Sequence, residues 1–153
     1  MISLFGTVMC LNAQSTIDLN AEKAAVNAML DKWQAATQTD TLASLLTDDA
    51  FILGTAPEEL WTKNEIVEIW RQYYSGIVPE HSYTSERILK MAADGNSATE
   101  IEEYIMPSMS PILTARNTLH LVKTKDKWMV DFISIAFIPK NEDIPKIEKI
   151  ISE

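Results

Sequence analysis

The side chains best placed to do chemistry lie on two extended runs near the C-terminal end of this chain. Arg116, Thr118 and His120 alternate along one of them, so they share one side of a sheet. Asp131 interrupts the other, Trp128-Met-Val-Asp-Phe-Ile-Ser-Ile-Ala-Phe-Ile138, an otherwise apolar strand in which desolvation would raise a carboxyl pKa. His120 reads first as a hydrogen-bonded residue of the sheet and second as a general base. Arg116 can grip a carboxylate or enolate oxygen through paired N–H groups, or form a buried structural pair with Glu59. Glu59 belongs to Phe51-Ile-Leu-Gly-Thr-Ala-Pro-Glu-Glu-Leu-Trp61, where Gly54 and Pro57 lead from an apolar strand to two carboxylates and an indole. That setting predicts Trp61 at the rim of a pocket, its ring edge toward the space.

Other functional types have a plainer reading. Trp33, Trp70, Tyr73 and Tyr74 fall on helical stripes and are expected in the core first, as pocket lining second. Glu100, Glu102 and Glu103 are expected on a solvated strand face. His81 and His120 are the only histidines and Cys10 the only cysteine, without metal-ligand spacing, so neither a metal nor a cofactor is expected.

These groups must be carried by elements legible from periodicity. Val26, Met29, Leu30, Trp33 and Ala36 recur at three- and four-residue steps, predicting a helix from Asn20, its N-cap, to about Thr37. Asp40 caps a short second helix carrying Leu42, Leu45 and Leu46, which gives way at Thr47-Asp48-Asp49 to a strand over Ala50 to Leu53. Thr62-Lys-Asn-Glu65 fits a capping box and opens a third helix with Ile66, Ile69, Trp70 and Tyr73 on its stripe and Gly76 as its left-handed stop. Beyond Pro79 the period becomes two. Tyr83 to Ala93 and Thr99 to Ile105 form a hairpin about Asp94-Gly95, and Ile112 to Thr124 and Lys127 to Pro139 form another about Lys125-Asp126. After Pro145 one weak helical turn is expected.

A length of 153 residues fits one domain, expected over 15–153. A net charge of −9 repels phosphate backbones, which excludes nucleic acid and anionic membrane surfaces as expected partners. Residues 1–14 carry no charge and include an apolar stretch ending in Asn12-Ala13-Gln14, similar to a secretory signal cut after Ala13, although no basic residue precedes it. Export to the periplasm or the extracellular space is the expectation. The alternative is an apolar segment packed on a cytoplasmic domain. The final strand, apolar on both faces apart from Asp131 and Ser134, needs cover on both sides, and a homodimer would provide it.

The order of Gly54-Thr55, Glu59-Leu60-Trp61, Arg116-Asn117-Thr118 and Trp128-Met129-Val130 resembles the SnoaL-like branch of the nuclear transport factor 2-like superfamily over about residues 20 to 140. The resemblance implies an α+β cone, in which a curved antiparallel sheet wraps three N-terminal helices around a cavity. It covers cyclases, isomerases, hydrolases and members without assigned activity. In ketosteroid-isomerase-like relatives a carboxylate removes a proton beside a carbonyl while an acid or tyrosine steadies the oxyanion. Asp131 or His120 would take the first part. Lys63 stands where such members often have Gly, and Phe132 or Ile133 where they often have His. The first reading is a small-molecule-binding protein whose apolar or anionic organic ligand meets Glu59, Trp61, Trp70, Tyr74, Arg116 and Thr118. The alternatives are an isomerase or cyclase, and an interaction module whose cavity its own side chains fill.

Overall fold

The computed structural model describes residues 17–153, so the expectations for residues 1–14 fall outside the described part. Helix α1 (Leu19–Gln34) is capped by Asp18 rather than Asn20: the Asp18 carboxylate accepts from the backbone N–H of Asn20 and Ala21. Glu22, in its first turn, also accepts from Lys123 Nζ at 2.6 Å and Trp128 Nε1 at 3.0 Å. Those bonds pin the start of α1 to the final hairpin and hold the Glu22 carboxyl below its usual range, Lys123 acting first.

Helix α2 (Thr39–Leu45) begins after Gln38, and Asp40 lies within its first turn, where it pairs with Arg71 at 2.6 Å. Strand β1 (Leu46–Leu53) starts earlier than Ala50, and its pairing is irregular between Leu46 and Phe51. Asp48 and Asp49 thus sit inside a strand instead of ending a helix. Strand β2 (Leu60–Thr62) folds back on β1 and runs directly into helix α3 (Lys63–Tyr74). The capping box is present in both directions, and α3 stops where Ser75 (φ 54°) and Gly76 (φ 77°) are both left-handed.

Tyr83 to Ala93 is not one strand. It divides into β3 (Ser82–Tyr83) and β4 (Ile88–Met91), which pair with opposite ends of β5 (Ser97–Ile105). The partner strand β6 (Ala115–Thr124) starts at Ala115, after a loop that includes Pro111, and β7 (Lys127–Phe137) follows it. Lys125 and Asp126, at φ 49° and 63°, form the two-residue turn of that hairpin. After a 3-10 turn at Asn141–Asp143 the tail makes helix α4 (Ile144–Ile151), longer than the single turn expected, with Pro145 in its first turn.

The seven strands form one sheet in the order β2-β1-β7-β6-β5-β3, with β4 also on β5. All pairings are antiparallel except β1 with β7, so the sheet is mixed. The fold is α+β, with the three leading helices against one face. Val26 and Leu30 of α1, Leu46 and Ile52 of β1, Leu119 and Leu121 of β6 and Val130 and Ile133 of β7 are all but fully buried between helices and sheet. No helix among the described residues is long and apolar enough to cross a membrane.

Candidate functional site

Helices and sheet do not close on each other completely. Beside the core lies a cavity of about 830 Å³ whose apolar wall includes Trp33 of α1, Ile52 of β1, Trp61 of β2, Ile66, Ile69 and Trp70 of α3 and Ile133 of β7. This volume is in the range that holds a small organic molecule. Trp61 lies on this wall, where β2 turns into α3. Gly54 permits that placement: a Cβ there would stand 2.6 Å from Trp61 Cζ3 and 2.3 Å from Glu59 Oε2. Glu59 accepts from the backbone N–H of Ala56 at 2.9 Å and the Thr55 hydroxyl at 3.4 Å, so it braces the loop that carries the indole.

One end of the cavity is polar, and β5 supplies most of it. Ala98, Glu100, Glu102 and Tyr104 all point inward and are buried, whereas Thr99, Ile101, Glu103 and Ile105 point outward. Glu102 reaches the cavity with Tyr104 beside it and Asn117 opposite it on β6. Glu102 Oε2 accepts from Gln34 Nε2 at 2.6 Å, and Gln34 Oε1 in turn accepts from Arg87 Nη2 at 2.7 Å. Arg87 also donates to Asp31 at 3.0 Å and to Asn27 at 3.3 Å through Nη1. The Gln34 amide is therefore oriented at both ends, with its oxygen toward a cation and its N–H toward an anion. Neither carboxylate oxygen of Glu100, nor Asn117 Oδ1, has a hydrogen-bond partner.

Burial dominates the protonation of this end. Loss of hydration, reinforced by the neighbouring Glu102, pushes the Glu100 carboxyl up to about 8. Glu102 is raised by burial as well, against the pull of Gln34, Asn117 and Arg87. Tyr83 and Tyr104 are raised by burial and then by Glu102, so both remain neutral phenols. Burial lowers His81, which keeps its imidazole neutral. The rings of His81, Tyr83 and Tyr104 stand together, with centroids 4.7 Å apart for His81 and Tyr104 and 6.1 Å for the two tyrosines.

Of the residues singled out from sequence, Glu59, Trp61, Trp70 and Tyr74 line this cavity. Arg116, Thr118, His120 and Asp131 do not; they project from the opposite face of the sheet. Arg116 gives both Nε and Nη2 to Glu103 Oε1, at 3.1 and 2.8 Å, so the expected pairing with Glu59 is not formed. The cause is alternation: Asn117 and Leu119 of β6 take the inward positions, leaving Arg116, Thr118 and His120 outside. Asp131 lies outside because a bulge inserts it between the pairs Leu121↔Val130 and His120↔Phe132. There its carboxylate meets His120 Nδ1 at 2.7 Å.

Sequence reasoning missed Glu100, Glu102, Asn117, Tyr83, Tyr104 and His81. The expected solvated glutamate face is corrected: Glu100 is 0% and Glu102 3% exposed, and only Glu103 faces outward. Alternation did show that Glu100 and Glu102 share their face with Tyr104 while Glu103 shares the other with Ile101 and Ile105, but not which of the two faces lies inside. Among the described residues no group of three or more potential ligating side chains could hold a metal ion.

Residues 23–135 match the model of the SnoaL-like domain family. No curated protein matches the chain. Among solved structures, an NTF2-like protein of unknown function from Pseudomonas putida KT2440 is similar at a TM-score of 0.64 and 11% identity, over 80% of this chain and 91% of that one. A protein with a cystatin-like fold from Caulobacter vibrioides gives 0.63 and 14%, over 82% and 95%. A candidate ketosteroid isomerase from Parabacteroides distasonis gives 0.60 and 10%, over 74% and 85%. At these identities the structural likeness speaks to the fold alone.

Proposed function

The chain belongs to the SnoaL-like domain family, and from that premise we propose that it binds a small organic molecule in the cavity between its helices and its sheet. The observation that carries this reading is the cavity itself, apolar along most of its wall and polar at the end held by Glu102 and Asn117. Convergence of a few buried polar groups on an apolar space is the usual form of a small-molecule site. Anionic ligands are disfavoured, because Arg116 faces away and neither Lys nor Arg lines the space. Its own side chains do not fill it.

The same reading includes a homodimer built on the outer face of the sheet. What supports it is the apolar strip of Phe51, Leu53 and Leu60, 38 to 59% exposed, with the Phe132 ring 4.9 Å from that of Phe51.

The test of ligand binding uses tryptophan fluorescence and thermal stabilisation against a library of small apolar alcohols, ketones and amines. Trp33, Trp61 and Trp70 border the space, so an occupant should change the emission. Replacing Ile135, on the cavity wall, by Trp should abolish the response by filling the space, whereas Arg116→Ala should leave it intact. A response that survives Ile135→Trp, or no response from any compound, would refute the reading.

A further inference from the structure

The cavity carries its charge unevenly. Its lining includes three carboxylates, Glu59, Glu80 and Glu102, and no lysine or arginine. Glu59 is engaged by its own loop, which leaves Glu102 as the carboxylate at the buried end. The cation nearest to it, Arg87, is held by Asp31 at 3.0 Å and lies behind Gln34, which separates it from Glu102. Arg87 still pulls on Glu102 from there, but no basic side chain borders the cavity itself.

A second, independent feature indicates what is missing. Asn117 is only 5% exposed and borders the cavity. Its amide nitrogen turns toward Glu102 and its Oδ1 is buried out of reach of the cavity, so Glu102 is the acceptor this corner offers. The natural complement of a carboxylate in such a wall is a guest that brings N–H or O–H groups. A carboxylate guest would bring only acceptors and a like charge. Around this corner stand Tyr74, Tyr83, Tyr104 and the neutral His81, whose ring faces attract a cation electrostatically. The phenols stay neutral and so add no charge that would repel an anion or fix a cation by themselves.

We propose, resting on the small-molecule reading above, that the guest is an organic amine bound in its ammonium form. Its nitrogen donates to Glu102 beside the rings of Tyr104 and His81, and its apolar body lies along Trp33, Trp61 and Trp70. A buried carboxylate is costly to keep ionised, and an ammonium partner offsets that cost.

The experiment compares matched triplets at pH 7, each an amine, an alcohol and a carboxylate on one body, such as 4-phenylbutylamine, 4-phenylbutanol and 4-phenylbutanoate, with fused-ring and alkyl analogues. Affinity is read by calorimetry on the full chain, and again on Glu102→Gln. Within a triplet the amine should bind at least tenfold tighter than the alcohol, with the carboxylate weakest. Glu102→Gln should erase the preference for the amine while the alcohol keeps its affinity. Equal binding of amine and alcohol, tightest binding of the carboxylate, or an amine preference undiminished in Glu102→Gln overturns the proposal and leaves the small-molecule reading standing. Binding of no member of any triplet overturns both. Should Glu102→Gln fail to fold, the ranking within wild-type triplets decides alone.

Discussion

Glu100 is the residue whose environment departs furthest from what its type prefers. It is 0% exposed, flanked on β5 by Ala98 and Glu102, faced by Leu89 of β4 and Leu119 of β6, and bonded to no donor. Its folded pKa of about 8 lies above the ordinary carboxyl value, so the native state binds the proton more tightly than the unfolded chain. The sign follows from linkage: the stability due to the neutral carboxyl is complete below about pH 4.5 and is lost as pH rises toward 8. In that window Glu100 should lower stability by at most about 1.4 kcal/mol per pH unit. Glu100→Gln, which keeps the shape and cannot ionise, should flatten the curve of melting temperature against pH between 5 and 8 and melt higher than wild type at pH 8. Identical slopes in the two proteins would mean that Glu100 is not protonated in the folded state. At this scale the site was only half legible. Trp61 and Glu59 border the cavity where turn chemistry placed a rim, and Trp70 and Tyr74, expected in the core first and as lining second, border it too. Glu102 and Asn117 were missed because alternation tells which residues share a face but not which face is inside.

At the scale of elements, local signals that satisfy backbone groups predicted best. Thr62 and Glu65 are an example: Glu65 Oε2 accepts from the Thr62 N–H at 2.8 Å, and the Thr62 hydroxyl accepts from the Glu65 N–H at 3.4 Å. This reciprocal cap fixes where α3 begins, and α3 presents Ile66, Ile69 and Trp70 to the cavity. Thr62→Ala should cost about 1 kcal/mol, a fall of roughly 2–4 °C in melting temperature for a domain of this size. Because β2 enters α3 without a loop, the same change should also loosen Trp61, read as a shift in tryptophan emission. Unchanged stability would show that the cap is made good by water. Elements set by long-range pairing were harder to read. The split between β3 and β4 arises because residues 84–87 face only residues 102–103 of β5, and the parallel pairing of β1 with β7 joins segments more than seventy residues apart, where no local turn signal exists. Asp18 and Gln38 displaced Asn20 and Asp40 as caps for a related reason, since each candidate cap had a polar neighbour one turn away or less.

The whole molecule departs in places from the usual polarity of a half-buried sheet. Its inner face carries Glu100, Glu102 and Asn117, while its outer face carries Phe51, Leu53, Ile88, Ile101 and Phe132. A lone domain in water would gain by the opposite arrangement, because each apolar side chain left wet forgoes about 1.5–3 kcal/mol of burial. Both departures make sense together if the polar interior serves a guest and the apolar exterior serves a second copy. A net charge of −9 does not oppose such pairing here, since the carboxylates Glu103 and Asp131 on that face are bonded to Arg116 and His120. Stable interfaces bury on the order of 800 Å² per partner. Sedimentation of the full chain should therefore give twice the 17.2 kDa of one copy. Phe132→Glu places a charge at the centre of the strip, beside Phe51 and His120 and away from the cavity, and should yield a monomer that still binds the ligands held by wild type. If wild type sediments as a single copy, the apolar outer face needs another explanation. If Phe132→Glu loses dimer and ligand together, cavity and interface are coupled, and the separation of the two faces argued from alternation does not extend to their energetics.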